Sequence, residues 1–128
     1  MLEVNIDGAS AGNPGPSGAG IFIKFNGEVE KHSIPLGTMD NHEAEFIACK
    51  KALEICLDKK ADTVWLRSDS QAVVDAIEKE FVRNGQYKPL LDDILKLTKQ
   101  INLFFVKWIP NKENKAADEL ARKAIHLN

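Results

Sequence analysis

Asn26-Gly27 fixes more of this chain's architecture than any other pair of residues. A two-residue turn that follows the twist of its strands needs positive φ at both central positions, which Asn and Gly adopt most readily. The dipeptide therefore predicts an antiparallel hairpin between Ala19–Phe25 and Val29–Leu36. Upstream, Leu2, Val4 and Ile6 alternate with Glu3, Asn5 and Asp7, the signature of a half-buried strand ending on Asp7. The segment Gly8 to Gly20 is rich in Gly, Ala, Ser and Pro and is expected to form the turn between them. Three antiparallel strands in succession make a meander.

The rest of the chain alternates helix and strand. Residues 41–58 predict a long helix. At 100° per residue, Ile55, Ala48, Ala52, Cys56, Cys49 and Leu53 fill one arc, with Glu43, Glu54, Lys50, Lys51 and Asp58 opposite. Val64-Trp65-Leu66 is a short apolar run of the kind found in central strands. Helices are predicted over 70–80, from Lys88-Pro89 to about Gln100, and over 114–126, with a strand at Leu103–Ile109 closed by Pro110. The order βββ-α-β-α-α-β-α predicts an α/β fold: one mixed sheet flanked by helices, in a single domain over 1–128.

Composition removes several function classes. With 44% hydrophobic and 28% charged residues, the chain has the balance of an ordinary globular domain. A net charge of -2 argues against a strongly basic, nonspecific nucleic-acid binder, although local patches or bound cations supply positive charge without changing that total. Cys49 and Cys56 lie about two helical turns apart, roughly 10 Å along the axis, too far for a disulfide. Both are expected to be buried thiols in a reducing compartment. No apolar run approaches the ~20 residues of a membrane span, and residues 1–7 look like a strand rather than a signal peptide. A cytoplasmic protein, monomeric and without a membrane partner, is expected.

Four acids stand where acids are costly. Glu45 falls in the middle of the apolar helical arc, between Ala52 and Cys56, where a carboxylate needs a partner or a metal. Asp69 lies at the carboxyl end of a strand, the edge of an α/β sheet where ligands bind, although Asp69 or Ser70 would also serve as a helix cap. Asp7 ends the first strand beside Gly8, where a turn role is equally open. Asp118 borders the apolar face of the last helix and has Arg122 four residues on. Brought together, four carboxylates repel unless hard divalent cations join them.

The sequence Asp7-Gly8-Ala9-Ser10-Ala11-Gly12-Asn13-Pro14-Gly15-Pro16, with Gly18 and Gly20, resembles the opening motif of type 1 ribonucleases H. Glu43-Ala44-Glu45-Phe46 with Ala48 and Ala52-Leu53-Glu54 is similar to that family's first helix. Arg67-Ser68-Asp69-Ser70-Gln71 with Val73-Val74 resembles its third motif, and Trp108-Ile109-Pro110 with Asn114 to Ala121 its fourth. The resemblance implies a ribonuclease H-like fold, a five-stranded sheet of order 3-2-1-4-5. It implies that Asp7, Glu45, Asp69 and Asp118 hold two Mg2+ ions with substrate, Mn2+ being an alternative. The partner implied is an RNA–DNA hybrid, whose RNA strand is cut to 5′-phosphate and 3′-hydroxyl ends. Substrate contacts carried over by position are Gly8, Ala9 and Ser10 through the backbone, with Asn13, Asn41 and Gln71 at the minor groove.

Three departures from the family pattern affect the expected strength of the activity. The loop Pro110 to Asn114 lacks the histidine common in the family, and His32, His42 and His126 are expected to face solvent elsewhere. Asp40 places negative charge where a phosphate contact is expected. The family's basic substrate-gripping helix is reduced to residues 81–88, with Arg83 and Lys88. Trp65 and Phe104-Phe105 are expected in the core rather than as stacking platforms. A weak enzyme of salt-sensitive affinity is expected. Two alternatives stay open: a hybrid-binding homologue without turnover, and a metal-dependent nuclease for branched DNA.

Overall fold

A computed structural model describes residues 1–128. The elements follow in the predicted order: β1 (Leu2–Ser10), β2 (Gly15–Phe25), β3 (Glu28–Met39), α1 (Asn41–Asp58), β4 (Thr63–Ser68), α2 (Gln71–Lys79), α3 (Lys88–Thr98), β5 (Leu103–Trp108) and α4 (Lys115–Ile125). The sheet order is β3-β2-β1-β4-β5. The meander strands pair antiparallel, and β4 runs parallel to both β1 and β5. Asn26 and Gly27 have φ of 49° and 77°, so the hairpin turn forms where the dipeptide placed it.

Helix α1 covers one face of β1 and β2, with α2 and α3 beside it, and α4 covers the other face over β1, β2 and β3. Ile6, Ile21, Ile23, Phe46, Leu53 and Leu66 are almost fully withdrawn from water in the larger core. Cys49 and Cys56 are buried free thiols in that core, as the helical spacing implied. Ile55 is only partly buried, and Phe46, outside the predicted arc, is the largest fully buried side chain. No helix is long and apolar enough to cross a membrane.

The glycine-rich segment departs from expectation. Gly8–Ser10 continue β1 and Gly15–Gly20 belong to β2, so only residues 11–14 turn the chain. The glycines serve packing. A Cβ on Gly8 would overlap the Ala44 carbonyl of α1, and one on Gly20 would overlap the Ala117 carbonyl of α4. Glycine is the residue that lets a helix backbone lie this close to a strand. Asp7 and Gly20 are register partners, as are Gly8 and Ala19, so both helices are seated beside Asp7 from opposite faces.

Pairing between β1 and β4 stops at Ile6–Ser68. The last residues of β1 therefore extend beyond β4 and leave a notch at the carboxyl ends of the two parallel strands. Gly8→Ala and Gly20→Ala are each expected to destabilise the fold by about 1–3 kcal/mol, the usual cost of overpacking. Gly85, with nothing near its would-be Cβ, is expected to accept alanine within about 0.5 kcal/mol. Urea midpoints of the three variants test the ranking.

Candidate active site

The notch gathers the predicted acids. Carboxylate oxygens of Asp7 on β1, Glu45 on α1 and Asp69 just past β4 all lie within 4.8 Å of one another. Asp118, in the first turn of α4, is close enough to share a hydrogen bond with Asp7. The two glycine contacts explain the convergence. Ala44 rests on Gly8 and Ala117 on Gly20, and the next residue of each helix is an acid of the site. Asp118 also accepts an ion pair from Arg122 Nε at 3.2 Å, so the i+4 pairing and the site coexist.

Burial and mutual repulsion act against ionisation here. Burial, then the negative charge of Asp69 and the neighbouring Asp118 and Glu45, push Asp7 up to about 8. Burial also raises Glu45, although His42 and Ser70 partly offset it. Asp69 is raised by burial and by Asp118, against a stabilising hydrogen bond from Asn114. For Asp7, Glu45 and Asp69 burial is the largest cause and repulsion between the acids adds to it, an environment that a bound cation would offset. All of the cluster's donors are carboxylate oxygens, the ligands hard divalent cations prefer, so it fits such a cation.

Four neighbours, His42, Ser70, Asn114 and Trp108, hold the acids or the backbone beside them and were not singled out as site residues from sequence. His42 lies one turn before Glu45, its Nδ1 3.1 Å from Glu45 Oε1. It faces solvent, as expected, but beside the site rather than elsewhere; the spacing i, i+3 was the available signal. His32, by contrast, is half-buried, with Nε2 2.6 Å from Glu30. Ser70 accepts from Val73 N–H as the cap of α2, which settles the cap between Asp69 and Ser70 and leaves Asp69 free. Asn114 is fully buried, and its Nδ2 donates to the Ile6 carbonyl at 2.8 Å, tying the start of α4 to β1. A contact across 108 residues leaves no local trace in sequence. Trp108 Nε1 donates to the Asp69 carbonyl at 3.1 Å.

The residues expected to meet substrate surround the notch unequally. Gly8 is buried under α1, Ala9 and Ser10 are half-buried, and Asn13, Asn41 and Gln71 are exposed. The Ser10 hydroxyl donates to the Met39 carbonyl at 2.9 Å, tying the end of β1 to the end of β3. The Gln71 amide donates to Asp75 at 2.8 Å. Asp40 caps α1: its Oδ1 accepts from Glu43 N–H at 2.8 Å and from the Tyr87 hydroxyl at 3.0 Å. The cap hydrogen bond from Glu43 is the largest influence holding the Asp40 carboxyl below its ordinary range. The loop 110–114 contains a short 3-10 turn, Asn111–Glu113, and no histidine.

Residues 5–124 match a family model described as reverse transcriptase-like. The chain is 42% identical over 127 residues to the Enterococcus faecalis protein EbsB, covering 98% of this chain and 94% of that protein. It is 32% identical over 140 residues to a ribonuclease H of Mesorhizobium japonicum, covering 98% and 78%. Among solved structures it resembles LC11-RNase H1 in complex with an RNA/DNA hybrid, with a TM-score of 0.89, 28% identity, and coverage of 99% and 98%.

In metal-free protein the acids make stability pH-dependent. Unfolded Asp7 ionises near its ordinary 3.8, whereas folded Asp7 keeps its proton to about 8. Stability present below the lower value is therefore lost as pH rises toward the upper one. Asp7→Asn is expected to remove this loss and to melt at least about 4 °C above wild type at pH 8 in EDTA, the response to roughly 1 kcal/mol. Removing the α1 cap by Asp40→Ala is expected to cost about 1 kcal/mol, read as a lower melting temperature at neutral pH.

Proposed function

The chain belongs to the type 1 ribonuclease H family, and from that premise we propose that it hydrolyses the RNA strand of RNA–DNA hybrids. The observation that carries the reading is the convergence of Asp7, Glu45 and Asp69, with Asp118 beside them, in a notch where Arg122 on Asp118 is the one basic side chain ion-paired to the acids apart from the histidine at Glu45. The structural likeness to an RNase H1 solved with a hybrid supports the choice of substrate. We read residues 1–128 as one catalytic domain.

Asp7, Glu45, Asp69 and Asp118 would hold divalent cations, Mg2+ or Mn2+. Bound there, the cations supply Lewis-acid stabilisation of charge developing on a phosphate. The chain's own residues do the positioning. Ser70 and His42 orient the Glu45 carboxylate, and Asn114 and Trp108 hold Asp69 and the backbone around it. The backbone of Gly8, Ala9 and Ser10, beyond the reach of β4, lines the notch where a nucleic-acid strand can approach closely. Asn13, Asn41 and Gln71 offer amides to the minor groove, where the 2′-hydroxyl separates RNA from DNA. Water adds to phosphorus, the P–O3′ bond breaks, and the products carry a 5′-phosphate and a 3′-hydroxyl.

A groove of about 430 Å³ beside His42, lined also by Phe46, Lys79, Phe81, Arg83 and Tyr87, receives the second strand in this reading. It takes the place of a longer basic helix. With two cations along it, affinity is modest and falls with salt.

Incubation with a labelled hybrid in Mg2+ or Mn2+ is expected to yield cleavage within the RNA strand. Asp69→Asn is expected to lower the rate on the order of a hundredfold or more, the scale of losing one electrostatic stabiliser, with an unchanged circular dichroism spectrum. No cleavage in either metal by folded protein refutes the proposal; retained hybrid binding would then point to a binding module.

A further inference from the structure

On the side of the sheet covered by α4 over β1–β3, no helix covers β4 and β5: the residues of β5 on this face are exposed and those of β4 are half-buried. Its residues stand in cross-strand pairs: Trp65 beside Phe105, and Arg67 beside Lys107. Phe105 is 53% exposed, so the expectation that this aromatic belongs to the core fails. β5 is an edge strand, and its other side, with Phe104 and Val106, packs on the core. Alternation therefore directs Phe105 and Lys107 outward.

Cations frame the aromatics. The Arg67 guanidinium lies 5.3 Å and the Lys107 ammonium 5.9 Å from the centre of the Trp65 ring. Farther across the same face, Lys24 lies 5.8 Å from the Phe22 ring, and Phe22 is the register partner of Lys31. The acids on this face are already engaged. Glu3 meets Lys24 at 3.7 Å and Arg67 at 3.5 Å, and Glu113 meets Arg67 at 3.6 Å. Lys107 has no carboxylate partner within ion-pair distance, and the cations outnumber the acids.

An apolar protein surface docking on Phe105 would have to strip water from the exposed, unpaired Lys107 without replacing it. A polyanion with flat π faces satisfies both features at once: bases stack on aromatic rings while phosphates meet the cations. The face is also placed for it. Arg67 precedes Asp69 by two residues and Trp65 by four, about 7 and 13 Å along the strand, so the platform runs away from the notch.

We propose that the β4–β5 face, with Phe105 and the half-buried Trp65 as stacking surfaces and Lys107 as the phosphate contact, binds single-stranded nucleic acid. This surface is separate from the acid notch and stands without the hydrolytic reading.

The test uses fluorescein-labelled dT12 and rU12, read by anisotropy at low salt in EDTA, so that no cleavage intervenes. The double variant Phe105→Ala/Lys107→Ala changes two exposed side chains. Its melting temperature and its cleavage of a short blunt hybrid are expected to match wild type. Its affinity for both single strands is expected to fall on the order of tenfold or more, and the slope of log affinity against log salt to fall by about 0.7. Equal binding by variant and wild type, or no binding by wild type, overturns the proposal. So does sedimentation showing a wild-type dimer that the variant dissolves, which would assign the face to a second copy of the chain.

Discussion

Two helices rest directly on the backbone of the central strands, and the missing Cβ atoms of Gly8 and Gly20 permit it. Everything at the notch depends on that proximity. Ala44 and Ala117 make the contacts, and the acid following each alanine is brought beside Asp7 from opposite faces of the sheet. A helix held off by ordinary side chains sits about 10 Å from a sheet, too far for short carboxylates to meet. The site is thus a by-product of close packing: small residues on strand and helix draw the backbones together, and the acids come with them.

That arrangement gathers negative charge without balancing it. Burial is the largest cause raising Asp7, Glu45 and Asp69 alike, and repulsion from neighbouring acids adds to it. The basic side chains placed against the cluster are the His42 imidazole, on Glu45, and Arg122, on Asp118. Natural proteins accept local cost of this kind where function requires it. A fold that withholds its lysines from four converging acids leaves the compensating charge to come from solution.

Much of this was legible in the sequence. Helix α1 spans the residues its periodicity marked, and the Asn26-Gly27 turn formed as its dihedral preference required. Glu45 stood out because an acid in an apolar arc violates the pattern around it. The glycine-rich run was misread because composition records that side chains are missing, not what occupies the space; turns and close helix contacts call for the same residues. Phe105 was misread for a related reason. An apolar residue in a strand indicates burial only if the strand is covered on both faces, and which face goes uncovered is decided by the course of α4. Asn114 binds a carbonyl at the other end of the chain, so its role lay beyond any local rule.

Asp40 ties together two parts of the molecule that sequence keeps apart. Its carboxylate caps the helix carrying Glu45 and accepts hydrogen bonds from Gln86 and Tyr87 in the segment bordering the groove. Tyr87 in turn stacks on Phe46, one residue beyond Glu45, with ring centres 5.4 Å apart. The groove wall and the first turn of α1 are therefore joined through Asp40 and through the Tyr87–Phe46 stack. A strand settling into the groove would steady the acid beside it, so that grip and chemistry share the same contacts.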